Sequence, residues 1–598
     1  MSQPACRLEA SEQAALRPPQ QVMRLSRMGS FFPTRLSFMR VMLRRLAACD
    51  AGPHGASGKI AISRWAMDDD GFGHAVLTVR LDEMPLSLIA YSNRLADEDR
   101  TDRVIATAWD AAFVLYDGIP DDTAIQRLMH EVPHQEAGRY TQAELVLSRA
   151  NKSVRLFEAV VSALAKGRQP DAGLIASTGY LMRTTAVYGN GKFGISDRGR
   201  IADRPALAGP FAAEMLTVYL IRHFTHLLVE HIAAARGGNS AVRLDLQLKR
   251  HLGIGNSTGL GMAPFLVMHP VLLNNWMLAR ETAWARVRGL AQATPQQQQQ
   301  LRRLLRRSQG HLLEWQVPDA AAQQRIDVLR QDWQAISLQI TDTMLDGPYP
   351  FAAMATVAEG VSEEAEELML ALCLEVNGQL IDGLAGCMDA SGEGRINPAA
   401  SVSSLAMLIE EKFSWATAIC FDDPARAHHF WYVSEAKLEP RYGERFNEPG
   451  AERESPLDIA RRIQALAHSL ASWSRQGGNA VSDSDGKTAE ATVAEFLLRH
   501  PEHRLAVRRV QTNAWAPYSE ICDNLIDQDC LPVDMLRCKL SFFGAAKFDP
   551  KSDRWTRITL YQGAPLADEL DDPEFADDWW LPVLDLHQGE SQNAITSG

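Results

Sequence analysis

The sequence is poor in cysteine, has no excess of basic residues and contains no long apolar run, and each scarcity excludes a class of protein. Eight cysteines among 598 residues form no CxxC pair and are too sparse for a disulfide scaffold, so we expect reduced thiols and a cytoplasmic location. The net charge of −13 disfavours contact with a phosphate backbone, so we expect no nucleic-acid partner. The longest nearly apolar run, residues 262–273, contains a histidine and two prolines. It is well short of the roughly 20 residues that cross a bilayer, so we expect no membrane span.

The chain is longer than the roughly 250–300 residues that one hydrophobic core organises, so several regions are expected. We predict an α+β fold that is predominantly α-helical, with a large central helical domain between a small N-terminal antiparallel sheet and a C-terminal α+β region. The predicted divisions are a disordered N-terminus at 1–22, an N-terminal helix plus sheet at 23–135, a central helical domain with glycine loops at 136–400, and the C-terminal region at 401–598. This last region is expected to contain a flexible loop at 475–490 and an acidic tail.

Two apolar periods predict the secondary structure: alternation predicts strands, and a 3.6-residue repeat predicts helices. The alternating segments, expected to form the N-terminal sheet, are 59–65, 74–80, 84–91, 104–109 and 112–116. The helical segments are 141–166, 211–235, 264–288, 298–315 and a long segment with Ser362 as its N-cap. Farther along, strands are predicted at 415–421, 429–433, 537–543 and 555–561, and a helix at 491–499.

The segment 24–45 has six arginines and no acidic residue among several large apolar residues. This pattern is typical of transit peptides and of helices that lie on a membrane surface. It also fits the first helix of a folded protein whose arginines are solvated or paired with acids. We favour this second interpretation because the segment has no uninterrupted apolar region with a small-residue cleavage site.

The densest glycine-bearing segment, residues 251–264, lies between two predicted helices. Three of its glycines, Gly255, Gly259 and Gly261, permit positive φ angles and a close approach of the backbone to a ligand. Backbone N–H groups at the start of the next helix, together with Asn256, Ser257, Thr258 and Gly259, would bind a carboxylate or phosphate. The segment lacks the Gly-Lys-Ser/Thr ending of a phosphate-binding P-loop. The alternative is a tight helix–helix connection in which glycine serves only the turn.

A second dense segment, residues 183–194, combines a fixed cation, hydroxyl groups, an amide and an amine with glycines. Arg183 is a candidate clamp for a carboxylate, and Thr184 and Asn190 are candidate substrate ligands. Tyr188 and Lys192 are candidate general acid/base residues. The alternative is a hairpin or Ω-loop in which the glycines serve the turn and Lys192 is solvated.

On the helix predicted from residue 211, 100° steps place several polar residues within one arc: Tyr219, Arg222, His223, His226 and Glu230. His226 and Glu230 would form a catalytic acid/base pair, and two histidines with a glutamate also have spacings that could hold a metal. The alternative is that this arc faces solvent, as polar arcs usually do. We assign no metal ligand here.

Two isolated polar residues complete the candidate site. Asn274 lies in an apolar run just after Pro270, where its amide would bind substrate oxygens or backbone groups at a kink. Arg537 lies among aromatic and basic residues of a predicted hairpin and is a candidate substrate clamp.

Together these residues favour a metabolic enzyme that binds a small anionic metabolite between residues 183–194 and 253–264. Proton transfer or group transfer would be its chemistry. No cofactor can be assigned, and a homo-oligomer is compatible with the sequence. The alternatives are a non-catalytic helical scaffold or ligand-binding protein, and a flavin- or nucleotide-dependent enzyme with an atypical phosphate loop.

Overall fold

The structure is a computed structural model. It describes residues 16–17, 34–49, 59–96, 109–132, 143–187, 204–207, 211–259, 270–385, 396–418, 420, 429–433, 440–444, 458–476, 480–482, 488–512, 544, 547–550 and 555–584.

Nine of the described strands form one mixed sheet in the order β1-β2-β3-β4-β5-β6-β7-β13-β12. Its strands are β1 (Ile60–Met67), β2 (Gly73–Leu81), β3 (Met84–Ser92), β4 (Ala111–Asp117), β5 (Glu144–Lys152), β6 (Tyr180–Thr184), β7 (Gly253–Gly259), β12 (Lys547–Pro550) and β13 (Trp555–Leu560). Strands β1 to β6 are antiparallel neighbours in chain order. Strand β7 is parallel to β6 and antiparallel to β13. The first four strands confirm the alternation at 59–65, 74–80, 84–91 and 112–116, whereas most of 104–109 lies outside the described residues.

The sheet is larger than the sequence indicates, because it also takes strands from the region predicted to be helical. The prediction of a helix at 141–166 is wrong over β5, and only its end is helical, at Phe157–Ala165. Eight of the nine residues of β5 are buried, so both faces of the strand are covered. A strand covered on both faces loses the alternation that identifies a half-exposed one.

The helices before residue 260 are α1 (Phe38–Ala48), α2 (Asp122–Glu131), α3 (Phe157–Ala165), α4 (Ala172–Thr178), α5 (Ala212–Gly237) and α6 (Leu246–His251). Helix α5, which confirms the helix predicted at 211–235, lies on one face of the sheet. Its Phe224 packs edge-on against Phe113 of β4, with ring centroids 5.6 Å apart, and its Thr225 hydroxyl lies 3.8 Å from the Met182 sulfur of β6. We call this side of the sheet the helix face.

The opposite face of the sheet is apolar over some strands and polar over others. Over β2 to β4 it is apolar and covered by α2, where the Tyr91 hydroxyl donates a hydrogen bond of 2.8 Å to the Ile125 carbonyl. Beyond β4, this face presents polar residues from β5 and β6. We call this part of the sheet the polar face.

A layer of helices follows: α7 (Pro270–Arg288), α8 (Pro295–Glu314), α9 (Ala320–Gln339), α10 (Asp342–Asp346), α11 (Pro350–Ala358), α12 (Glu363–Glu375) and α13 (Gly378–Ala385). These helices share one hydrophobic core with the sheet and with residues 558–584. The predicted helix at 298–315 is confirmed and begins three residues earlier, at Pro295, behind a capping box formed by Thr294 and Gln297. Ser362 is the N-cap of α12, as predicted, although its side chain makes no capping hydrogen bond.

The described arginines of the basic N-terminal segment are paired with acids. Arg35 contacts Asp382 and Asp577, each at 2.8 Å. Arg40 contacts Glu375 at 2.5 Å. These ion pairs join residues 34–48 to α12, to α13 and to the C-terminal segment, so the described part of this basic segment belongs to the fold.

A second hydrophobic cluster is formed by α14 (Val402–Lys412), α15 (Ser414–Thr417), α16 (Asp458–Arg475), α17 (Val493–Arg499) and α18 (Arg504–Thr512). The helix at 491–499 and the strand at 429–433 are confirmed. The strand predicted at 415–421 is wrong where it overlaps α15. The strand β8 (His429–Val433) pairs with β9 (Pro440–Glu444), and β10 (Ala480–Ser482) pairs with β11 (Thr488–Glu490). Part of the predicted loop at 475–490 is therefore a short hairpin.

A short C-terminal helix, α19 (Pro573–Ala576), follows β13. Within the described parts of the chain, no helix has both the length and the apolar character needed to cross a membrane. The cysteines in these parts, Cys49, Cys373 and Cys420, are free thiols.

Candidate functional site

The two segments predicted to face one another, 183–194 and 253–264, begin in neighbouring strands of the sheet, and only their described parts, 183–187 and 253–259, can be placed. β6 and β7 run parallel, with Tyr180 opposite Gly253 and Arg183 opposite Gly255. β6 has one more residue than β7 between these two pairs, which is the signature of a β-bulge. Segments that are far apart in sequence therefore meet through their backbones.

The glycines of β7 have a different role from the one expected. Residues 253–259 form a strand, so the prediction of a loop between two helices is wrong here. Neither Gly253 nor Gly255 has a positive φ. A Cβ on Gly253 would lie 2.3 Å from the Leu560 carbonyl oxygen, and one on Gly255 would lie 2.8 Å from the Tyr180 ring. Glycine is needed at both positions because neighbouring atoms approach too closely for a side chain.

Four polar residues form a compact group on the polar face: two from β5, one from β6 and one that directly follows β6. Asn151 is opposite Arg183 in the register. Arg149 and Thr185 are the next pair along, joined by a hydrogen bond of 2.9 Å from the Thr185 amide to the Arg149 carbonyl. All four are buried, with Arg149 and Arg183 each 2% exposed. We call Arg149, Asn151, Arg183 and Thr185 the polar quartet.

Neighbouring groups hold the quartet in place. The guanidinium of Arg149 lies 3.9 Å above the Trp109 ring. The Asn151 side-chain oxygen accepts a hydrogen bond of 3.1 Å from the Asp110 amide, and an Asp110 carboxylate oxygen accepts one of 3.0 Å from the Lys152 amide. The start of β4 and the end of β5 are thus tied together beside the quartet.

Sequence reasoning identified Arg183 but missed Arg149 and Asn151. The available signal was the pair of polar residues near the end of an apolar strand. That signal was hidden because the segment was interpreted as helical.

Two other predicted substrate ligands serve the backbone. The Asn256 side chain is 1% exposed and donates a hydrogen bond of 2.8 Å to the Val187 carbonyl. The Thr184 hydroxyl accepts a hydrogen bond of 3.1 Å from the Ala186 amide. Thr184 alternates with Arg183 and so points to the opposite face. Both residues shape the chain where it leaves β6.

The remaining residues of β7 are placed by backbone pairing. Ser257 is opposite Arg557, Thr258 opposite Thr556 and Gly259 opposite Trp555 of β13. Asn274 lies in α7, which begins at Pro270, and the first residues of the helix predicted at 264–288 lie outside the described residues. The predicted site residues Tyr188, Asn190, Lys192 and Arg537 lie outside the described residues.

The polar arc on α5 is buried, so the expectation that it faces solvent is wrong. Arg222, 2% exposed, donates hydrogen bonds of 2.8–3.2 Å to four backbone carbonyls, those of residues 249, 250, 252 and 565. Tyr219 donates to the carbonyl of residue 565 at 2.9 Å. Burial lowers the pKa of Arg222 to about 10, so the guanidinium is charged at neutral pH. Its positive charge offsets the partial negative charge of the carbonyl oxygens at the end of α6.

His226 and Glu230 do not form an acid/base pair at the quartet. Burial holds the pKa of His226 well below its ordinary value, so the ring is neutral. Glu230 forms an ion pair of 2.7 Å with Lys249 and accepts a hydrogen bond of 3.0 Å from the Leu244 amide. Both belong to α5, on the helix face, and the sheet separates them from the quartet.

Glu230 also lines a cleft of about 390 Å³ between α5 and β1. Trp65 and His231 form part of its wall, and the Trp65 indole donates a hydrogen bond of 3.3 Å to the His231 ring. The cleft is distinct from the polar quartet, because it lies at the β1 end of the sheet.

No family model matches this chain, and neither a curated protein nor a solved structure is significantly similar to it. Function must therefore be inferred from the residues and their geometry.

Proposed function

We propose that this protein binds a small carboxylated or phosphorylated molecule at the polar quartet. The observation that carries the proposal is the pair of buried arginines, Arg149 and Arg183, on one face of the sheet. They are diagonal neighbours across β5 and β6, a relation that places residues about 7–8 Å apart. A bound anion with several oxygens has the size to contact both guanidinium groups.

The electrostatics of the quartet favour such a ligand. Two guanidinium groups on one buried face make this part of the sheet positively charged, and the attraction between opposite charges is stronger away from water. Arginine suits this role because its planar fork of donors matches a carboxylate or phosphate bidentately.

The chemistry that fits this ligand is proton transfer or group transfer, which makes the protein a metabolic enzyme. Tyr188 and Lys192 follow β6 directly in the chain and are the candidate acid/base residues. Ser257 of β7, two residues after the Gly255 that is opposite Arg183, remains a candidate ligand. His226 and Glu230 lie on the helix face, where Glu230 is paired with Lys249, and so do not belong to the proposed site.

Thermal unfolding in the presence of anions tests the proposal. Inorganic phosphate and citrate should raise the melting temperature of the wild-type protein, because a ligand at 100 times its Kd stabilises the folded state by about 2.7 kcal/mol. Arg183→Gln and Arg149→Gln should abolish the anion-dependent increase. Arg80→Gln is the matched control, because Arg80 is an exposed arginine in β2 of the same sheet.

The anion-dependent difference separates binding from folding, because each variant is compared with itself. If Arg183→Gln is too unstable to measure, Arg183→Lys replaces it, because lysine retains the positive charge and lacks the planar pair of donors of the guanidinium. An equal increase in all variants would show that the anion binds elsewhere. Native mass spectrometry of the freshly purified protein would reveal a retained metabolite, or the flavin or nucleotide of the alternative hypothesis.

A further inference from the structure

A cluster of metal-ligating side chains lies far along the chain from the polar quartet, in the short 3-10 turn Pro501–His503 between α17 and α18. His500 Nδ1 is 3.3 Å from a carboxylate oxygen of Glu502, and His503 Nε2 is 3.8 Å from the same oxygen. The three ligand atoms all lie within 4.8 Å of one another. We infer that His500, Glu502 and His503 bind a divalent transition-metal ion such as Zn²⁺.

The donor set suits this ion. Two imidazole nitrogens and one carboxylate oxygen are a known set for tetrahedral zinc, with bonds of about 2.0–2.2 Å. Ligand atoms in such a tetrahedron are about 3.4 Å apart. Two of the separations, 3.3 and 3.8 Å, are already close to this value. A small rotation of the more exposed His500 would bring the third pair together and leave the fourth position to water.

The two imidazoles are held by packing and not only by the turn. Phe496 of α17 stacks on the His503 ring with centroids 6.0 Å apart and planes 14° apart, and it also contacts the His500 ring at 4.9 Å. Trp473 of α16 meets the His500 ring edge-on at 6.0 Å. These ring contacts hold both imidazoles in place before a metal binds, which reduces the conformational entropy lost on binding.

The cluster is also accessible to an ion from solvent. The His503 side chain is 9% exposed, while those of His500 and Glu502 are 33% and 61% exposed. The Ser469 hydroxyl contacts His503 Nε2 at 2.8 Å, and it would give up this contact to the metal or enter the fourth position.

Zinc binding by the full-length chain tests this inference. Protein stripped with a chelator and dialysed would be titrated with ZnCl₂ against a chromogenic zinc indicator. Wild type should bind one more equivalent of tight zinc than His500→Ala or Glu502→Gln. The affinity of that site should fall at least about 100-fold in both variants, more than the loss of an outer-shell partner causes.

His468→Ala is the matched control, because His468 is an exposed histidine on α16 in the same helical cluster, and it should bind zinc like wild type. His500→Ala is preferred over a His503 variant because His500 is the less buried ring. Equal stoichiometry and affinity in wild type and His500→Ala would overturn the inference, and so would the absence of micromolar zinc binding by wild type. Cobalt(II) should give a visible d–d spectrum in wild type and in His468→Ala, but not in His500→Ala.

Discussion

Acidification should destabilise α5 through His223 and His226. Burial lowers the pKa of His223 to about 4 and holds that of His226 well below 6.5. The His223 ring is therefore neutral in the folded protein at pH 5, and the lowered pKa of His226 acts in the same direction, whereas in the unfolded chain both rings bind protons below about pH 6.5. Stability that these residues contribute above pH 6.5 is accordingly lost as the pH falls towards 4.

The size of this loss follows from proton linkage. A histidine that stays neutral only when folded costs about 1.4 kcal/mol for each pH unit below 6.5. For His223, the loss between pH 7 and pH 5 is about 2 kcal/mol, and His226 adds to it in the same direction. Replacement of both histidines by glutamine removes the two titrations and should reduce the pH dependence by at least this amount.

Hydrogen exchange measured by mass spectrometry on peptides from α5 reports the free energy of opening for this helix. Exchange at pH 7 and pH 5, corrected for intrinsic rates, would be compared between wild type and the His223→Gln, His226→Gln double variant. If opening free energies fall equally in both proteins, the two histidines are not buried neutral and the argument from their environment is wrong.

Three substitutions test other parts of the structure. Gly255→Ala should destabilise the protein by about 1–3 kcal/mol in urea unfolding, because the added Cβ would press on Tyr180. Its control is Gly383→Ala, at an exposed helical position where an added Cβ would have no heavy atom within 4 Å, and this variant should be neutral or stabilising. Arg222→Met should cost at least about 3 kcal/mol in the same assay, because it removes four hydrogen bonds from a charged donor to backbone carbonyls, and a change under about 1 kcal/mol would contradict this assignment. Glu230→Gln should cost about 1 kcal/mol through its ion pair and leave anion binding unchanged, whereas a loss of anion binding would return Glu230 to the site.

Much of the fold could be predicted where apolar residues recur with a clear period. The segments of β1 to β4 alternate, and the bounds of α5 and α8 lie within a few residues of the predicted ones. β5 could not be predicted in this way, because its apolar residues do not alternate: Leu145 to Leu147 are consecutive, and the polar residues that follow them are buried as well. β7 could not be predicted because glycine, which normally weakens strands, is required here by close neighbours.

The candidate site was predictable only in part. Residues 183–194 and 253–264 were expected to meet, and the backbones of β6 and β7 do meet. The neighbour that completes the quartet, Arg149, comes from another strand and is brought to Arg183 by register, which a single sequence does not reveal. The polar arc on α5 was misinterpreted because Tyr219 and Arg222 donate to backbone carbonyls at residues 249–252 and 565. Backbone partners leave no pattern in the side chains of a sequence.

Calorimetric titration with inorganic phosphate tests the central claim, that the polar quartet is an anion site, most directly. Wild type and Arg80→Lys should bind phosphate with the same Kd, while Arg183→Lys should bind at least about 10-fold more weakly, since one bidentate pair is lost. If Arg183→Lys binds phosphate as tightly as wild type, or if wild type binds none at millimolar concentration, the claim is contradicted.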